Sequence, residues 1–252
     1  MGIIRGDILY EGKAKRVYLT DHADLLIHDF KDDATAFNAQ KRGTIVGKGR
    51  TNAAISAVLF SFLEKHGVPT HFRELAGPTQ LVSLKLEMIP LEVVVRNIAA
   101  GSLAERLGYE EGTKLRRPIV ELYYKSDELG DPLLTDDHIL ELRVADEEMI
   151  GQLRGLGLKI NQLLREAFGA CDLELVDFKL EFGLAGGVPV LADEISPDTC
   201  RLWDRKSGEK MDKDRFRRDL GRVEEAYQEV WERLSKAAPT LGIALDQVLA
   251  RE

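Results

Sequence analysis

Residues 173–182 alternate apolar and charged side chains, a pattern that commits this segment to a half-buried β-strand. Because successive side chains of a strand point to opposite faces, Asp177, Lys179 and Glu181 share one face. The other face carries the apolar residues Val176, Phe178, Leu180 and Phe182. The charged face would therefore hold an acid, a base and an acid in a row, about 7 Å apart.

A return strand would place further acids near this row. Residues 183–187 include three glycines and predict a turn, and residues 188–194 read as a second strand that ends in Asp193 and Glu194. A hairpin would bring one of these two acids next to Glu181. Carboxylates beside an ammonium group suit a Mg²⁺–nucleotide site. The alternative is a surface hairpin with a solvated charged face.

Composition limits the class of protein. The 252 residues can form one large domain or two small lobes that share a cleft, and the net charge of −8 argues against a nucleic-acid-binding surface as the main function. No apolar run approaches the roughly 18 residues of a membrane span, and the first residues lack the apolar core of a signal peptide. Two cysteines, Cys171 and Cys200, predict neither a disulfide framework nor a metal site. We therefore expect a cytoplasmic protein that binds neither nucleic acid nor membrane.

The order of the predicted elements favours an α+β fold. Three strands joined by short turns come first and predict an antiparallel meander, at residues 8–10, 16–19 and 25–30. Two more strands are expected at 81–86 and 91–96, interrupted at 89–90. Helices are predicted at 51–66, 101–107, 146–168 and 212–234, with a short tail helix at 240–250. Thr51 or Asn52 would cap the first helix and Gly67 would end it. Two lobes result, residues 1–88 and 89–252.

Two basic segments are candidates for binding phosphate. The turn after Tyr10 contains one glycine and three cations, so its backbone amides and Lys13 could cover phosphates, although it is not a Walker A loop. Residues 43–52 are glycine-rich and basic and predict a mobile anion-binding lid that leads into a helix. The alternatives are a solvated basic hairpin and an ordinary flexible loop.

Two arginines are candidates for holding a carboxylate or a phosphate. Arg96 follows three buried valines, and Ser102 lies where small residues open a helix, so the two would form an anion pocket. Arg201 lies in an irregular polar loop after the return strand and is a second candidate. A structural arginine and an ordinary loop are the alternatives. No serine or cysteine has a partnered histidine arrangement, which disfavours nucleophilic catalysis.

Taken together, these segments resemble the SAICAR synthetase family. The resemblance runs over about residues 8–235 and rests on four strings: Glu-Gly-Lys-Ala-Lys at 11–15, Leu-Glu-Val-Val-Val-Arg-Asn at 91–97, Val-Asp-Phe-Lys-Leu-Glu-Phe-Gly at 176–183 and Asp-Glu-Ile-Ser-Pro-Asp at 193–198. Ile98 departs from the pattern, since some members carry Arg there. The resemblance implies a two-lobed, ATP-grasp-like, kinase-related fold with the nucleotide between an N-terminal antiparallel sheet and a larger C-terminal α+β lobe.

The resemblance also implies a reaction. Such a ligase uses ATP and Mg²⁺ to join carboxyaminoimidazole ribonucleotide (CAIR) to the amino group of L-aspartate, giving SAICAR, ADP and phosphate in purine biosynthesis, and the enzyme would be a homodimer. Glu181 and Asp193 would bind Mg²⁺, and Lys179 and Asp177 would act at the reacting centre. The nucleotide would contact Gly12, Lys13, Lys15, Val17, Lys85 and Met88. CAIR would be held by Arg96, Ser102 and Arg201, with Lys125 as a further substrate-binding residue.

Two other functions stay open at this point. A kinase-like small-molecule phosphotransferase would share the two-lobed cleft, but the His-Arg-Asp and Asp-Phe-Gly pattern of protein kinases is absent because Lys179 follows Phe178. A non-catalytic nucleotide-binding module would keep the lysines but would have no need of Glu181, Asp193 and Arg96 together. The residues that bind aspartate are not indicated, although residues 43–52 are candidates.

Overall fold

Two antiparallel sheets meet along a cleft and organise the chain, for which the computed structural model describes residues 2–36 and 40–249. The first sheet has the strand order β1-β2-β3-β7-β6 and confirms the predicted meander. Its strands are β1 (Arg5–Glu11), β2 (Lys15–Thr20), β3 (Leu25–Phe30), β6 (Phe72–Gly77) and β7 (Gln80–Leu84). A separate small ribbon, β4 (Asp33–Ala36) with β5 (Lys41–Thr44), lines the cleft. Strand β1 is an edge strand whose residues are all exposed.

The second sheet has the order β10-β9-β8-β11-β12, and β13 also pairs with β11. Its strands are β8 (Glu87–Ile98), β9 (Lys114–Tyr124), β10 (Leu133–Leu134), β11 (Leu173–Ala185), β12 (Val188–Ala192) and β13 (Cys200–Asp204). The predicted interruption at residues 89–90 is wrong, because β8 runs through Pro90. The register between β8 and β11 shifts between Glu181 and Gly183, beside Pro90, and such an irregularity tolerates a residue without an N–H donor.

The predicted hairpin is confirmed as β11 and β12, with Glu181 opposite Ala192. Its turn is shorter than residues 183–187, since only Gly186 (φ 59°) and Gly187 (φ 82°) lie between the strands. Two consecutive positive φ angles are what a tight hairpin turn requires. Gly183 lies within β11, where a Cβ atom would come within 2.6 Å of Leu86 Cβ, so its lack of a side chain serves packing.

The helices are α1 (Lys48–Lys65), α2 (Gly101–Leu107), α3 (Asp136–Glu141), α4 (Glu147–Gly169), α5 (Asp214–Arg217), α6 (Val223–Ala237) and α7 (Leu245–Val248). A single 3₁₀ turn lies at Asp127–Leu129. The predictions for α2 and α4 are confirmed to within a residue. Helix α4 begins where the side chain of Asp146 accepts a hydrogen bond from the Met149 backbone at 2.8 Å.

Helix α1 begins three residues before its predicted start, and residues 43–52 form the end of β5, a short connection and the first turn of α1 rather than a separate loop. Strand β5 runs to Thr44, and the helix starts at Lys48. The Asp32 carboxylate accepts hydrogen bonds from the backbone N–H groups of Gly47 (3.0 Å) and Gly49 (2.9 Å). A side chain from another segment therefore takes the position at the helix N-terminus that the sequence predicted for an anion. Thr51 and Asn52 are buried within the helix and do not cap it.

The long helix predicted at residues 212–234 is interrupted. Helices α5 and α6 are separated by a turn in which Asp219, Gly221 and Arg222 have φ angles of 54°, 68° and 50°. Apolar periodicity does not reveal this turn, because Leu220 within it fits the apolar stripe that a continuous helix would have. The tail helix is only the four residues of α7, and residue 250 of that prediction lies outside the described residues.

A single large hydrophobic core connects the two sheets. It contains the apolar face of α1, residues of α4 and α6, and Phe178, Leu180 and Phe182 of β11. Helix α1, which belongs to the first half of the sequence, packs against α4 and α6. The sheets change over between Leu84 and Glu87, near the predicted boundary at residue 88, but the division into two domains stays a prediction. Cys171 and Cys200 are free and buried, and among the described residues no helix is long and apolar enough to cross a membrane.

Candidate active site

The cleft between the sheets has a volume of about 1420 Å³ and brings together most of the predicted site residues. Its walls come from the β1–β2 turn, the β4–β5 ribbon, β8, β11 and the residues that follow β12. The lining residues that the sequence predicted as site residues are Gly12, Lys13, Arg96, Ser102, Lys125, Asp177, Lys179 and Arg201. An adjoining pocket of about 290 Å³ adds Lys15, Glu181 and Asp193. The row of charges on β11 therefore faces the cleft, as the alternation predicted.

Three predicted nucleotide residues do not line these two cavities. Val17 is buried in β2, opposite His28. Lys85 lies in the connection between the sheets, and its backbone N–H donates to the carbonyl of Asp24 at 2.8 Å. Met88 is 47% exposed near the start of β8. The role of Val17 at the nucleotide phosphates and that of Lys85 and Met88 at the adenine base stay predictions.

The acid–ammonium cluster consists of Lys15, Lys125, Lys179, Glu181 and Asp193. Lys15 Nζ lies 2.5 Å from Asp193 Oδ1 and 3.5 Å from Glu194 Oε1. Lys179 Nζ donates to Glu181 Oε1 at 2.8 Å and to Glu92 Oε1 at 2.7 Å. Lys125 Nζ donates to the other oxygen of Glu181. The sequence missed Glu92, whose position on β8 next to the site is set by the pairing of β8 with β11.

Mutual charge keeps Lys15, Lys179 and Asp193 ionised despite their burial. Burial alone would lower the pKa of Lys15, but the Asp193 and Glu194 carboxylates outweigh it and raise that pKa above its ordinary value. Burial would also lower the pKa of Lys179, but nearby carboxylates, of which Glu181 has the largest effect, raise that pKa above its ordinary value. Burial would raise the pKa of Asp193, but Lys15 and Lys179 lower it below the usual range. Lys179 is therefore a fixed positive charge rather than a proton donor.

The backbone holds Asp193 in an unusual conformation. Its φ of 63° lies in the left-handed region, which aspartate tolerates better than most residues. Just before it, the Leu191 N–H donates to Pro69 O at 3.0 Å, and His71 N–H donates to Leu191 O at 2.8 Å. The first sheet's neighbouring segment thus fixes the strand end that presents this carboxylate.

The donor set fits Mg²⁺ if phosphate completes it. Glu181 and Asp193 supply the carboxylate oxygens that Mg²⁺ prefers. Within residues 2–36 and 40–249, no group of three or more His, Cys, Asp or Glu side chains could hold a metal ion. Two carboxylates plus phosphate oxygens and water are the usual arrangement at sites that process nucleotides.

A second cluster, the arginine network, fills the other end of the cleft. Arg96 is 4% exposed and donates through Nε to Glu121 at 2.6 Å and through Nη1 to Asp177 Oδ2 at 2.9 Å. Its Nη2 donates to Ser102 Oγ at 3.2 Å. Arg201 Nη1 donates to the same oxygen of Asp177 at 2.8 Å. Asp177 thus holds two guanidinium groups side by side, which prepares a site for an anion.

The arginine network extends to residues that the sequence did not single out. Asp214 at the start of α5 accepts hydrogen bonds from Arg201 Nε at 3.0 Å and from Arg217 Nη1 at 2.5 Å. Arg106 of α2 binds Glu121. The segment at 211–214 had predicted only a helix start, because nothing in its local pattern shows that Asp214 reaches Arg201.

A third buried group links the polar loop to the helices. Asp198 lines the cleft, accepts a hydrogen bond from Tyr227 OH at 2.6 Å and pairs with Lys48 Nζ at 3.0 Å. Burial would raise the pKa of Asp198, but Lys213 and Lys48 lower it below the usual range. Sequence reasoning assigned Tyr227 to an apolar helix face and therefore missed this contact. The loop after β12 is thus an ordered part of the cleft wall.

The arrangement separates two kinds of anion recognition. One end carries lysines and carboxylates that can hold a metal-bound polyphosphate, and the other carries arginines that can hold a second anion. Lys179 of the acid–ammonium cluster lies two residues from Asp177 of the arginine network on the same face of β11. Such a cleft can transfer a phosphoryl group from one bound anion to another.

Comparison with known proteins agrees with this chemistry. The model of the SAICAR synthetase family matches residues 8–234. A phosphoribosylaminoimidazole-succinocarboxamide synthase of Desulfitobacterium hafniense (strain Y51) is 58% identical over 232 residues, which cover 92% of this chain and 98% of the relative.

Solved structures give the same result. The crystal structure of phosphoribosylaminoimidazole-succinocarboxamide synthase from Ehrlichia chaffeensis has a TM-score of 0.89 and 43% identity, with 91% of this chain and 98% of that chain covered. A structure described as SAICAR synthetase (Type-2) in complex with ADP has a TM-score of 0.88 and 50% identity, with 90% and 97% covered.

Proposed function

This chain belongs to the SAICAR synthetase family, and from that premise we propose how its residues perform the family's reaction. The protein is an ATP-dependent carbon–nitrogen ligase of purine biosynthesis that condenses CAIR with L-aspartate to give SAICAR, ADP and phosphate. The observation that carries the assignment of roles is that Lys179 pairs with Glu181 in the acid–ammonium cluster and shares a face of β11 with Asp177 of the arginine network.

The nucleotide is proposed to bind at the first sheet. Gly12 and Lys13 line the cleft at the β1–β2 turn and would cover the phosphates. Lys15 would add positive charge from the adjoining pocket. Val17 stays with the predicted phosphate-covering residues, and Lys85 and Met88 would contact the adenine end. A related structure that contains ADP supports nucleotide binding.

Glu181 and Asp193 are proposed to hold Mg²⁺. When bound, the metal would neutralise phosphate charge and polarise the transferred group. Lys15, Lys125 and Lys179 at present occupy the same carboxylates, so cation and phosphate together would replace existing ion pairs rather than enter a neutral site. The Asp193 carboxylate is thereby kept ionised before ligands arrive.

Arg96, Ser102 and Arg201 are proposed to hold CAIR by its phosphate and carboxylate. Arg96 is fixed by Glu121 and Asp177, whereas Arg201 is partly exposed toward the cleft, with 20% of its side chain accessible. Arg201 would therefore make the more direct contact. A fixed pair of guanidinium groups lowers the ordering cost of binding a carboxylate.

The chemical step is proposed to proceed through an acyl phosphate. A CAIR carboxylate oxygen attacks the γ-phosphorus of ATP and ADP leaves; the aspartate amine then attacks the acyl carbon, phosphate leaves and the amine loses a proton. Two anions must meet in the first step, so the permanent positive charge of Lys179 would stabilise the transferred group.

Asp177, which is expected at the reacting centre, is the candidate proton acceptor for the amine, but its Oδ2 already accepts hydrogen bonds from Arg96 and Arg201. We therefore propose that Asp177 chiefly orients the two arginines, and its role as base stays a prediction.

Lys179→Met tests the central role. We expect kcat to fall at least about 10²- to 10³-fold, because a charge at the transferred phosphoryl group is lost while the aliphatic stem is kept. The measurement is SAICAR formation from ATP, CAIR and aspartate, alongside urea unfolding. Lys159→Met, which removes an exposed lysine bound to Gly67 O, is the control. A near-normal rate for Lys179→Met would refute the role, and CAIR phosphorylation without amide formation would indicate the kinase alternative.

The family resemblance further supports two proposals about the whole protein. We propose that it is a homodimer and that it acts in the cytoplasm. Light scattering coupled to size-exclusion chromatography tests the first, and a single-chain mass of 28.2 kDa would contradict it.

A further inference from the structure

One surface turn places an anion and a cation on the two halves of the proposed nucleotide site. The turn follows β9 and contains the 3₁₀ turn Asp127–Leu129. Asp127 Oδ1 accepts a hydrogen bond from Lys13 Nζ at 2.7 Å. Lys125, two residues earlier, donates through Nζ to Glu181. The turn therefore contacts the β1–β2 turn on one wall of the cleft and β11 on the other.

We propose that Lys125 and Asp127 are a built-in occupant of the metal–phosphate site: Asp127 weakens the binding of any nucleotide, and Lys125 reduces the preference of the site for metal-bound over metal-free nucleotide. The Asp127 carboxylate takes the place of a phosphate on Lys13, and the Lys125 ammonium takes the place of the cation on Glu181. This inference rests on the proposed function, which assigns phosphate to Lys13 and the metal to Glu181.

The turn can release Lys13 at low cost, while its backbone stays tied to β8 by the hydrogen bond from Lys125 N–H to Pro90 O at 3.0 Å. Its own hydrogen bonds hold its shape, since Ser126 N–H donates to Asp131 Oδ1 at 2.9 Å and Asp131 N–H donates to Ser126 O at 3.1 Å. Leu129, its largest apolar residue, is 65% exposed and adds no buried anchor. The side chain of Asp127 is 78% exposed and that of Lys13 is 47% exposed. An ion pair this exposed contributes about 0.2–1 kcal/mol.

The two charges act differently on nucleotides with and without metal. Any phosphate that binds Lys13 must displace Asp127, so removal of this carboxylate strengthens both forms. Lys125 competes only with the cation, and it screens Glu181 when no cation is present. Removal of its charge therefore strengthens binding of the metal complex and weakens binding of the free nucleotide, because a buried Glu181 then faces the phosphates with less screening.

The experiment measures ADP binding by calorimetry, with Mg²⁺ and with a chelator, for the wild type and three variants. Asp127→Asn is expected to bind both forms two- to five-fold more tightly. Lys125→Met is expected to shift the two affinities in opposite directions, again by a few-fold. Glu128→Gln removes an exposed acid from the same turn and leaves Asp127 and Lys125 in place, so it serves as the matched control and should leave both affinities unchanged.

Each result decides the inference. Unchanged or weaker binding of Asp127→Asn would overturn it, and so would an equal shift of both forms in Lys125→Met or an effect of Glu128→Gln equal to that of Asp127→Asn. If the wild type fails to bind ADP, the proposed nucleotide site fails instead. Normal ADP binding by the wild type with no change in the variants contradicts only the built-in occupant.

Discussion

Single residues in this protein derive their roles from partners far away in the sequence. Asp177 binds Arg96 and Arg201, which lie 81 and 24 residues away. The alternation on β11 predicts that Asp177 faces the cleft, but it does not show which cations meet there. The pairing of β8 and β13 on either side of β11 decides that.

Arg201 provides a test of the arginine network. In Arg201→Lys, one ammonium replaces a planar fork that reaches both Asp177 and Asp214. We expect the KM for CAIR to rise about ten-fold or more while the KM for ATP is unchanged, measured by steady-state kinetics. Arg205→Lys changes a half-exposed arginine that lies 3.8 Å from Glu174 and should leave both constants unaltered. Equal effects on CAIR and ATP would contradict a specific contact.

Asp212 should make stability depend on pH. Burial, followed by the charge of Asp214, raises the pKa of Asp212 from 3.8 to about 7. Between pH 4 and pH 7 the folded state thus binds more protons than the unfolded state, so the free energy of unfolding falls as pH rises. The loss attributable to Asp212 is up to roughly 4 kcal/mol.

Asp212→Asn should remove this dependence, as measured by urea unfolding at several pH values between 4 and 8. In the wild type, the carboxyl group of Asp212 accepts hydrogen bonds from the backbone N–H groups of both Leu202 and Asp214. The neutral amide of asparagine still offers one oxygen to these donors. Asp246→Asn, at an exposed position of α7, is the control and should keep the wild-type slope. A wild-type slope in Asp212→Asn would show that other groups cause the effect.

At the scale of elements, periodicity located most strands and helices but not their ends. The hairpin β11–β12 and helix α4 follow their sequence patterns because apolar spacing and turn residues agree there. Helix α1 begins early because Asp32, from another segment, caps it. The division between α5 and α6 depends on positive φ angles at Asp219 and Arg222, which no apolar pattern encodes.

Two glycines in helices should respond oppositely to alanine. A Cβ atom at Gly49 would lie 2.5 Å from the carbonyl oxygen of Phe30, whereas one at Gly155 of α4 would meet nothing within 4 Å. We expect Gly49→Ala to lower the free energy of unfolding by about 1–3 kcal/mol. Gly155→Ala should raise it by about 0.5–1 kcal/mol through helix propensity. Urea unfolding measures both, and a loss of stability in Gly155→Ala would contradict the open environment.

At the scale of the molecule, two sheets surround one active cleft and share one core. The sequence predicted two lobes because strands dominate its first 88 residues. It did not predict that α1, from that first part, packs on α4 and α6. Long-range packing of this kind leaves no local signature, since any amphipathic helix presents an apolar face.

The shared core predicts a single cooperative unfolding transition. Both tryptophans, Trp203 and Trp231, lie after residue 88, so their fluorescence reports on the second part of the chain. Far-UV circular dichroism reports on all elements. We expect the two signals to coincide during urea unfolding. A transition seen by circular dichroism but not by fluorescence would show that the first 88 residues unfold independently.

The two cysteines of the chain bear on how the cleft can be targeted. Cys200 belongs to the cleft wall, yet burial raises the pKa of its thiol far above neutrality, and burial raises the pKa of Cys171 to about 12. The reactive thiolate is therefore scarce in the native protein. Thiol-directed electrophiles and mild oxidants should therefore react poorly with the cleft. Inhibitors of this cleft will have to bind reversibly, through its charged side chains.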